Sequence, residues 1–112
     1  MTQPPNKDKA YIEDILLACE NCLHFTQDMT FDQFDNDLKT LSAVQHQILI
    51  IGEATKRVSD ELRSNHTDIP WKSMAGMRDV LVHSYQSADT TEIWETVQKA
   101  IPDLISKLKK LI

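Results

Sequence analysis

Residues 41–62 read LSAVQHQILIIGEATKRVSDEL, and small or apolar side chains recur along this stretch at alternating steps of three and four. That alternation gives an α-helix one continuous apolar face and is typical of a coiled-coil seam. The face is formed by Leu41, Val44, Ile48, Ile51, Thr55, Val58 and Leu62. We therefore predict that the longest helix of the chain covers about residues 38–63. Gly52 lowers helix stability by about 1 kcal/mol relative to alanine, which indicates that another backbone approaches closely there.

Helical spacing also organises the sequence before this stretch. A stripe that steps by three and four predicts a first helix over about residues 8–27. Its members are Ile12, Ile15, Cys19, Cys22 and Thr26, with Leu16 and Leu23 beside them. After a break at Asp28 and Met29, Thr30 and Gln33 have the spacing of a capping box, which opens a short helix that ends near residue 37.

The sequence after the long helix predicts two more helices. Pro70 suits the first turn of a helix that continues through residues 77–85, with Trp71 as a core anchor. Asp89 is expected to cap the last helix, and Pro102 should kink or restart it. The prediction is an all-α fold, an antiparallel bundle of four main helices plus a short helix. It forms a single domain over residues 1–112, in which residues 1–7 are expected to be flexible.

The composition narrows the class of protein. The chain of 112 residues has no run of eighteen apolar residues, so we expect no membrane span. Residues 1–7 are polar and lack the apolar core of a signal peptide, so we expect the protein to be cytoplasmic. Twelve basic against seventeen acidic residues give a net charge of −5, which argues against general nucleic-acid binding and suits a partner with a basic face. An enzyme that contacts a nucleic acid at one cleft needs only local positive charge. The candidates for that charge are Lys56, Arg57, Arg63, Lys72 and Arg78.

Cys19 and Cys22 form a lone Cys-x-x-Cys pair. A zinc site would need a second such pair or histidines at set spacing, and a redox motif would accompany a βαβ pattern. His24 is near, but the sequence offers no fourth ligand. We therefore predict that both cysteines serve helix packing, and we expect neither a metal nor another cofactor.

The stretch MRDVLVHSY, residues 77–85, brings an arginine, a histidine and a tyrosine closer together than any other part of the sequence. On a helix, Asp79 and His83 share one flank, while Arg78 and Tyr85 share the other. A histidine can take or give a proton near pH 7, and the arginine fork matches a phosphate. A base and a phosphate clamp are the minimum for cleaving RNA without a metal. The 2′-hydroxyl loses a proton and attacks the adjacent phosphorus, while the arginine stabilises the added negative charge.

The spacing of Arg78 and His83 carries a geometric difficulty. On an ideal helix the two side chains point roughly 140° apart. They converge only if the arginine side chain bends round, the helix distorts, or a second subunit completes the site. An Arg and a His five apart on a helix also occur by chance in many proteins. The surplus apolar surface on the long helix and the last helix predicts a two-fold dimer, which could place two Arg78/His83 pairs near one groove.

These residues resemble the signature of the HepT-like branch of the HEPN (higher eukaryotes and prokaryotes nucleotide-binding) domains. That signature is an Arg, four to six residues and a His, with a Tyr two positions later, as in Arg78, His83 and Tyr85. Residues 50–54, IIGEA, resemble the family's Ile-Gly-Glu-Ala segment, and residues 69–78 resemble its lead into the motif. The resemblance implies a helical, dimeric RNase toxin that is paired with a minimal nucleotidyltransferase (MNT) antitoxin.

The residues and the resemblance together favour a metal-independent RNA endonuclease that is the toxin of a toxin–antitoxin pair. His83 is the expected general base or acid, Arg78 the phosphate clamp, and Asp79 the residue that orients His83. The resemblance places Glu53 near the motif, where it could pair with Arg78. It also implies that the antitoxin neutralises the toxin by transferring AMP to Tyr85 or by forming a complex with it. The alternative is a non-catalytic helical binding module that docks a nucleotidyltransferase; a purely structural adaptor would leave the Arg–His–Tyr spacing unexplained.

Overall fold

The computed structural model describes residues 5–81 and 90–112, and every regular element in these two ranges is helical. The prediction of an all-α fold is therefore confirmed. Within the same ranges, no helix combines the length and the apolar character that crossing a lipid bilayer requires.

Short connections join the helices within residues 5–81, and within residues 90–112 they follow one another directly. They are α1 (Pro5–Phe25), α2 (Phe31–Asp35), α3 (Leu38–Arg57), α4 (Asp60–Asn65), α5 (Trp71–Ala75), α6 (described over residues 77–81), α7 (Thr90–Glu95), a π-helical segment (Thr96–Ala100), α8 (Ile101–Leu108) and a final 3₁₀ turn (Lys109–Leu111). The first helix begins at Pro5, three residues earlier than predicted, and ends at Phe25. The predicted break after it is confirmed, because Asp28 adopts the left-handed conformation with φ 63°.

Helices α1 and α3 form the central pair of the bundle. Asp8 of α1 bonds to Ser59 just after α3, whereas Asn21 further along α1 bonds to Gln47 in the middle of α3. Because the later residue of α1 meets the earlier residue of α3, the two helices run antiparallel. The predicted seam of α3 is buried from Val44 to Val58, and α8 packs against α1. The core thus lies where α1, α3 and the last helices meet.

The predicted helix over residues 38–63 is in fact two helices. Val58 leaves the helical conformation with ψ 139°, and α4 starts again at Asp60. Ser59 caps this restart, because its Oγ accepts a hydrogen bond from the Leu62 amide at 3.1 Å. The carboxylate of Asp8 accepts two more hydrogen bonds, from the Ser59 amide at 2.9 Å and from its hydroxyl at 2.6 Å. The prediction of one unbroken helix over this stretch is therefore wrong, because these hydrogen bonds stabilise a break at Val58 and Ser59.

The capping box predicted at Thr30 and Gln33 is confirmed. The backbone amide of Gln33 donates to Thr30 Oγ1 at 3.2 Å, and the backbone amide of Thr30 donates to Gln33 Oε1 at 2.9 Å. Helix α2 ends at Asp35, slightly earlier than predicted, because Asp37 caps α3 instead. The carboxylate of Asp37 accepts hydrogen bonds from the backbone amide and the hydroxyl of Thr40, and these bonds lower the pKa of Asp37.

The last helical stretch restarts beside Pro102, as predicted, with the proline in the first turn of α8. A proline has no amide hydrogen, so the ordinary helical hydrogen bond cannot form at that position. Before it, the helix widens into the π-helical segment, in which the Ile101 amide donates to the Thr96 carbonyl, and α8 then begins at Ile101. Trp94 of α7 lies against the rings of Phe31 and Phe34, which ties α7 to α2. Asp89, the predicted cap, lies outside the described residues.

Candidate functional site

Helices α5 and α6 are fixed by their apolar side chains. Trp71, Met74, Met77 and Leu81 are all buried in the core. Trp71 is the expected core anchor, and its indole nitrogen donates a hydrogen bond to the His66 carbonyl at 2.9 Å. An indole buried with its N–H satisfied holds the segment in one orientation.

The segment that carries the Arg–His–Tyr motif is divided at Gly76, although the sequence predicted one helix from Pro70 onward. Helix α5 ends when the Gly76 amide donates to the Lys72 carbonyl at 3.0 Å. The Gly76 carbonyl then accepts from the Asp79 amide at 2.9 Å, which starts α6. Arg78 therefore lies in the first turn of a new helix, where its direction is set by the junction.

Gly52 lies in contact with this junction, as predicted from its cost to α3. A Cβ atom built on Gly52 would lie 3.4 Å from the Ala75 carbonyl oxygen, 3.5 Å from the Arg78 amide nitrogen and 3.7 Å from the Arg78 Cβ. Two of these three neighbours are backbone atoms. The backbone of α3 therefore touches the chain at the base of Arg78, which confirms the close approach.

Glu53, the residue after this glycine, meets the arginine side chain. The Arg78 Nη1 lies 3.7 Å from Glu53 Oε2, and the Lys56 Nζ lies 4.0 Å from the same oxygen. All three side chains are about half exposed, at 47–48%. Both distances exceed that of a hydrogen bond, so they describe charge attraction rather than directed bonding. A pair this exposed contributes on the order of 0–1 kcal/mol to stability.

The other residues predicted for the site divide into two groups. Asp79 is exposed on α6, beside Arg78. His83 and Tyr85 lie outside the described residues, so their predicted roles remain predictions. The described part of the site is therefore an exposed face of α3 and α6 that carries Arg78, Asp79 and Glu53. Lys56 joins this face through its position three residues after Glu53, a spacing that brings side chains together on a helix.

The three remaining candidate cations differ from Lys56 in their surroundings. Arg63 donates a hydrogen bond to Asp60 at 2.8 Å within α4. Lys72 is exposed on α5, as is Arg57 at the end of α3. Lys56 and Arg78 are thus the candidate cations that meet at one carboxylate, that of Glu53.

Two grooves lie elsewhere on the described surface. One, of about 410 Å³, is lined by residues of α1 and α4 and by the last two residues of the chain, among them Ile12, Leu62 and Leu111. The other, of about 350 Å³, lies between α1 and α3 and includes Leu17 and Ile50. Neither includes Arg78. Among residues 5–81 and 90–112, no three His, Cys, Asp or Glu side chains are grouped as metal ligands.

The cysteine pair is part of the core. Cys19 and Cys22 are buried and unbonded to each other. Burial raises the pKa of both thiols from 9.0 to about 12, and Cys22 and Glu20 add to the effect at Cys19. Both groups are therefore neutral thiols near pH 7, and the prediction of helix packing is confirmed.

Comparison with known proteins gives a consistent set of matches. The model of the family described as "Ribonuclease HepT-like" matches residues 15–111. The protein named "Probable ribonuclease HepT" from Thermococcus cleftensis is 43% identical over 103 residues, which cover 92% of this chain and 94% of that protein. A provisionally named RNase from Methanocaldococcus jannaschii is 37% identical over 109 residues, 96% of this chain and 94% of that protein. Another from Caldanaerobacter subterraneus subsp. tengcongensis is 38% identical over 104 residues, 93% of each chain. No solved structure matches the chain.

Proposed function

The chain belongs to the ribonuclease HepT-like family, and on that premise we propose that it is a metal-independent RNA endonuclease of the HEPN superfamily. The relatives quoted above have RNase names, and this chain matches them over nearly their full lengths. The observation that carries the proposal is the placing of Arg78. Its backbone lies against Gly52, and its side chain, about half exposed, reaches Glu53.

The proposed reaction needs a proton acceptor and a phosphate clamp. His83 removes the proton of the RNA 2′-hydroxyl, and that oxygen attacks the adjacent phosphorus. Arg78 binds the phosphate oxygens and stabilises the charge that develops on them. The bond from phosphorus to the 5′-oxygen breaks, and the leaving oxygen takes up a proton. Asp79 orients His83, and Glu53 supports Arg78.

The first experiment tests this mechanism directly. Purified protein is incubated with RNA in the presence of a chelator, and cutting is expected for the natural sequence. His83→Ala and Arg78→Ala should each abolish cutting while the circular dichroism of the helices is retained. Arg63→Ala is the matched control, because this arginine is paired with Asp60 on α4 and should be dispensable. Cleavage that survives the first two substitutions, or that requires added magnesium, refutes the mechanism.

A homodimer is the second part of the proposal. Leu17 is 58% exposed on α1 and lies in the groove between α1 and α3 together with the partly buried Ile50. Leu49 of α3 is also exposed. Exposed apolar side chains such as these favour burial against a second copy. Light scattering at micromolar concentration should give about twice the chain mass of 12.8 kDa, and a monomer would leave Arg78 and His83 to meet within one chain.

The third part of the proposal is that this RNase is a toxin neutralised in the cytoplasm by an MNT-type nucleotidyltransferase antitoxin. The antitoxin transfers AMP to the hydroxyl of Tyr85. Each adenylate adds a phosphate with about one negative charge, which can form charge-assisted hydrogen bonds to Arg78 and so occupy the clamp. The net charge of −5 suits a basic surface on the partner.

The Tyr85→Phe variant tests this regulation. It keeps the ring but lacks the acceptor oxygen, so it should remain toxic and escape neutralisation by modification. Mass spectrometry after co-expression with the nucleotidyltransferase should find adenylate mass on the Tyr85 peptide of the natural sequence and none on the variant. An unmodified Tyr85 peptide would leave complex formation as the route of neutralisation.

A non-catalytic module that docks a nucleotidyltransferase is the second candidate. The excess of seventeen acidic over twelve basic residues favours it, because such a surface repels RNA and attracts a basic partner. The chelator assay separates the two functions. A protein that binds the nucleotidyltransferase but leaves every RNA uncut would establish the docking module.

A further inference from the structure

The contact between Lys56, Glu53 and Arg78 joins two positive side chains to one negative one. Both cations face the same oxygen, Glu53 Oε2, at 4.0 Å and 3.7 Å. The distance between the two cations therefore cannot exceed the sum of these two distances. Together, Lys56, Glu53 and Arg78 carry a local charge of +1 on a chain whose net charge is −5.

Other ion pairs in the described ranges have a different balance. Lys99 pairs with Glu95 at 3.3 Å, Lys107 with Asp103 at 3.1 Å and Arg63 with Asp60 at 2.8 Å. Each of those cations has its own carboxylate three or four residues earlier in the chain, at hydrogen-bond distance. Lys56 is 4.0 Å from a carboxylate that it shares with an arginine from another helix. Its ammonium group is attracted by Glu53 but not bonded to it.

The position of Lys56 is set by the same features that set the position of Arg78. Gly52 brings the backbone of α3 against the amide and Cβ of Arg78, so the arginine side chain emerges beside the next turn of α3. Lys56 follows Gly52 by four residues and Glu53 by three, which places all three on that side of α3. Glu53 attracts both cations and offsets the repulsion between them.

We propose that Lys56 is a second phosphate contact for the substrate, binding the RNA backbone next to the phosphate held by Arg78. This inference rests on the proposed RNase function and extends it to substrate binding. Neighbouring phosphates of a strand present two separate anions, and two cations a short distance apart can bind both at once. An ammonium is a point charge that suits backbone contact without selecting a base. Lys56 thus contributes to binding and not to the reacting geometry, so it is a binding residue rather than a catalytic one.

The test measures binding and cleavage separately in the full-length chain. Binding uses a mixed-sequence 2′-O-methyl RNA oligonucleotide, which lacks the attacking hydroxyl and so stays intact, at salt concentrations from about 50 to 200 mM. For Lys56→Ala we expect Kd to rise about tenfold at low salt, and the plot of log Kd against log salt to become shallower by about 0.7, the value for one phosphate of a single strand. In cleavage, KM should rise to a similar extent while kcat stays within twofold.

Two further variants make the result specific. Lys56→Arg keeps the charge and should restore Kd and the salt dependence to those of the natural sequence. Lys99→Ala removes a lysine that is equally part of an exposed ion pair, and it should change neither quantity. If the natural sequence cuts RNA while Lys56→Ala binds and cuts like Lys99→Ala, the inference is wrong and the RNase function stands. If the natural sequence neither binds the oligonucleotide nor cuts RNA, both are overturned.

Discussion

Two helix junctions in the described part of the chain, at Val58–Ser59 and at Gly76, are held in different ways. At the first, Ser59 caps α4 and Asp8 of α1 closes the break with two hydrogen bonds. At the second, the backbone hydrogen bonds of Gly76 end α5 and start α6, and the segment is held by buried apolar residues and by the contact with Gly52. We call the first the bonded junction, because side-chain hydrogen bonds close it, and the second the packed junction, because contacts with buried neighbours hold it.

The difference explains where the candidate site lies. A bonded junction uses its polar groups internally, so Asp8 and Ser59 satisfy each other and leave little for a ligand. A packed junction is held on its apolar side only, which leaves the polar side of α6 open. Arg78 is therefore fixed through its backbone while its side chain stays about half exposed. Stability and chemistry are assigned to opposite sides of the same short segment.

Removing the indole at the packed junction should have the largest effect. Trp71→Ala deletes a buried aromatic ring and the hydrogen bond to the His66 carbonyl. We expect the free energy of unfolding to fall by about 3–5 kcal/mol, as for other buried aromatic residues. Urea denaturation followed by circular dichroism measures it. Lys72→Ala, the exposed neighbour on α5, is the control and should stay within about 0.5 kcal/mol of the natural sequence. Equal losses for the two variants would mean that packing does not hold this junction.

Opening the bonded junction should have a smaller effect on stability and none on cleavage. Asp8→Ala removes both acceptors of the Ser59 amide and hydroxyl, so we expect a loss of about 1–3 kcal/mol. Cleavage per folded molecule should not change, because Asp8 has no part in the contacts of Arg78. Glu13→Ala, an exposed acid on the same helix, controls for the loss of a charge. Cleavage that is lost with Asp8 at full folding would show that the two junctions are not independent.

The buried thiols report whether this loss is global. The folded pKa of Cys19 and Cys22 is about 12, above the ordinary value of 9.0, so the neutral thiols favour the folded state fully below pH 9. That contribution is lost as pH rises from 9 toward 12. At pH 8 a thiol reagent should therefore label only molecules that open. Faster labelling in Asp8→Ala would show that the whole bundle is weakened. An unchanged rate would confine the effect to the N-terminal part of α1.

Periodicity predicted the bundle but not its bonded junction. The seam of α3 continues through Thr55, Val58 and Leu62 at steps of three and four, so the apolar pattern passes over the break unchanged. A local signal was present, since Ser59 followed by Asp60 and Glu61 is a common start of a helix. The decisive bond comes from Asp8, which is 51 residues away in sequence and has no local signature.

The candidate site was predicted in part, for a similar reason. The cost of a glycine inside a helix indicated the close approach at Gly52, and the structure confirms it. The contact of Glu53 with Arg78 joins residues on different helices, so spacing alone could not give it and the family resemblance did. Lys56 and Arg78 share one oxygen of Glu53, and this contact depends on the direction of the Arg78 side chain. That direction is set at the Gly76 junction, where the sequence predicted one continuous helix.

Adding a single methyl group at Gly52 should have the smallest effect and is the finest test of the packed junction. The new Cβ of Gly52→Ala would lie 3.4 Å from the Ala75 carbonyl oxygen, an ordinary contact, and the helix would gain up to about 1 kcal/mol from the better helix former. We therefore expect a rise of about 0–1 kcal/mol in the free energy of unfolding, with cleavage retained.

Gly52→Val adds two further methyl groups against backbone that cannot move aside. It should lose about 1–3 kcal/mol and reduce cleavage, because α3 and the base of Arg78 are pushed apart. If valine is tolerated as well as alanine, the contact does not position Arg78, and the glycine serves some purpose other than bringing these two backbones together.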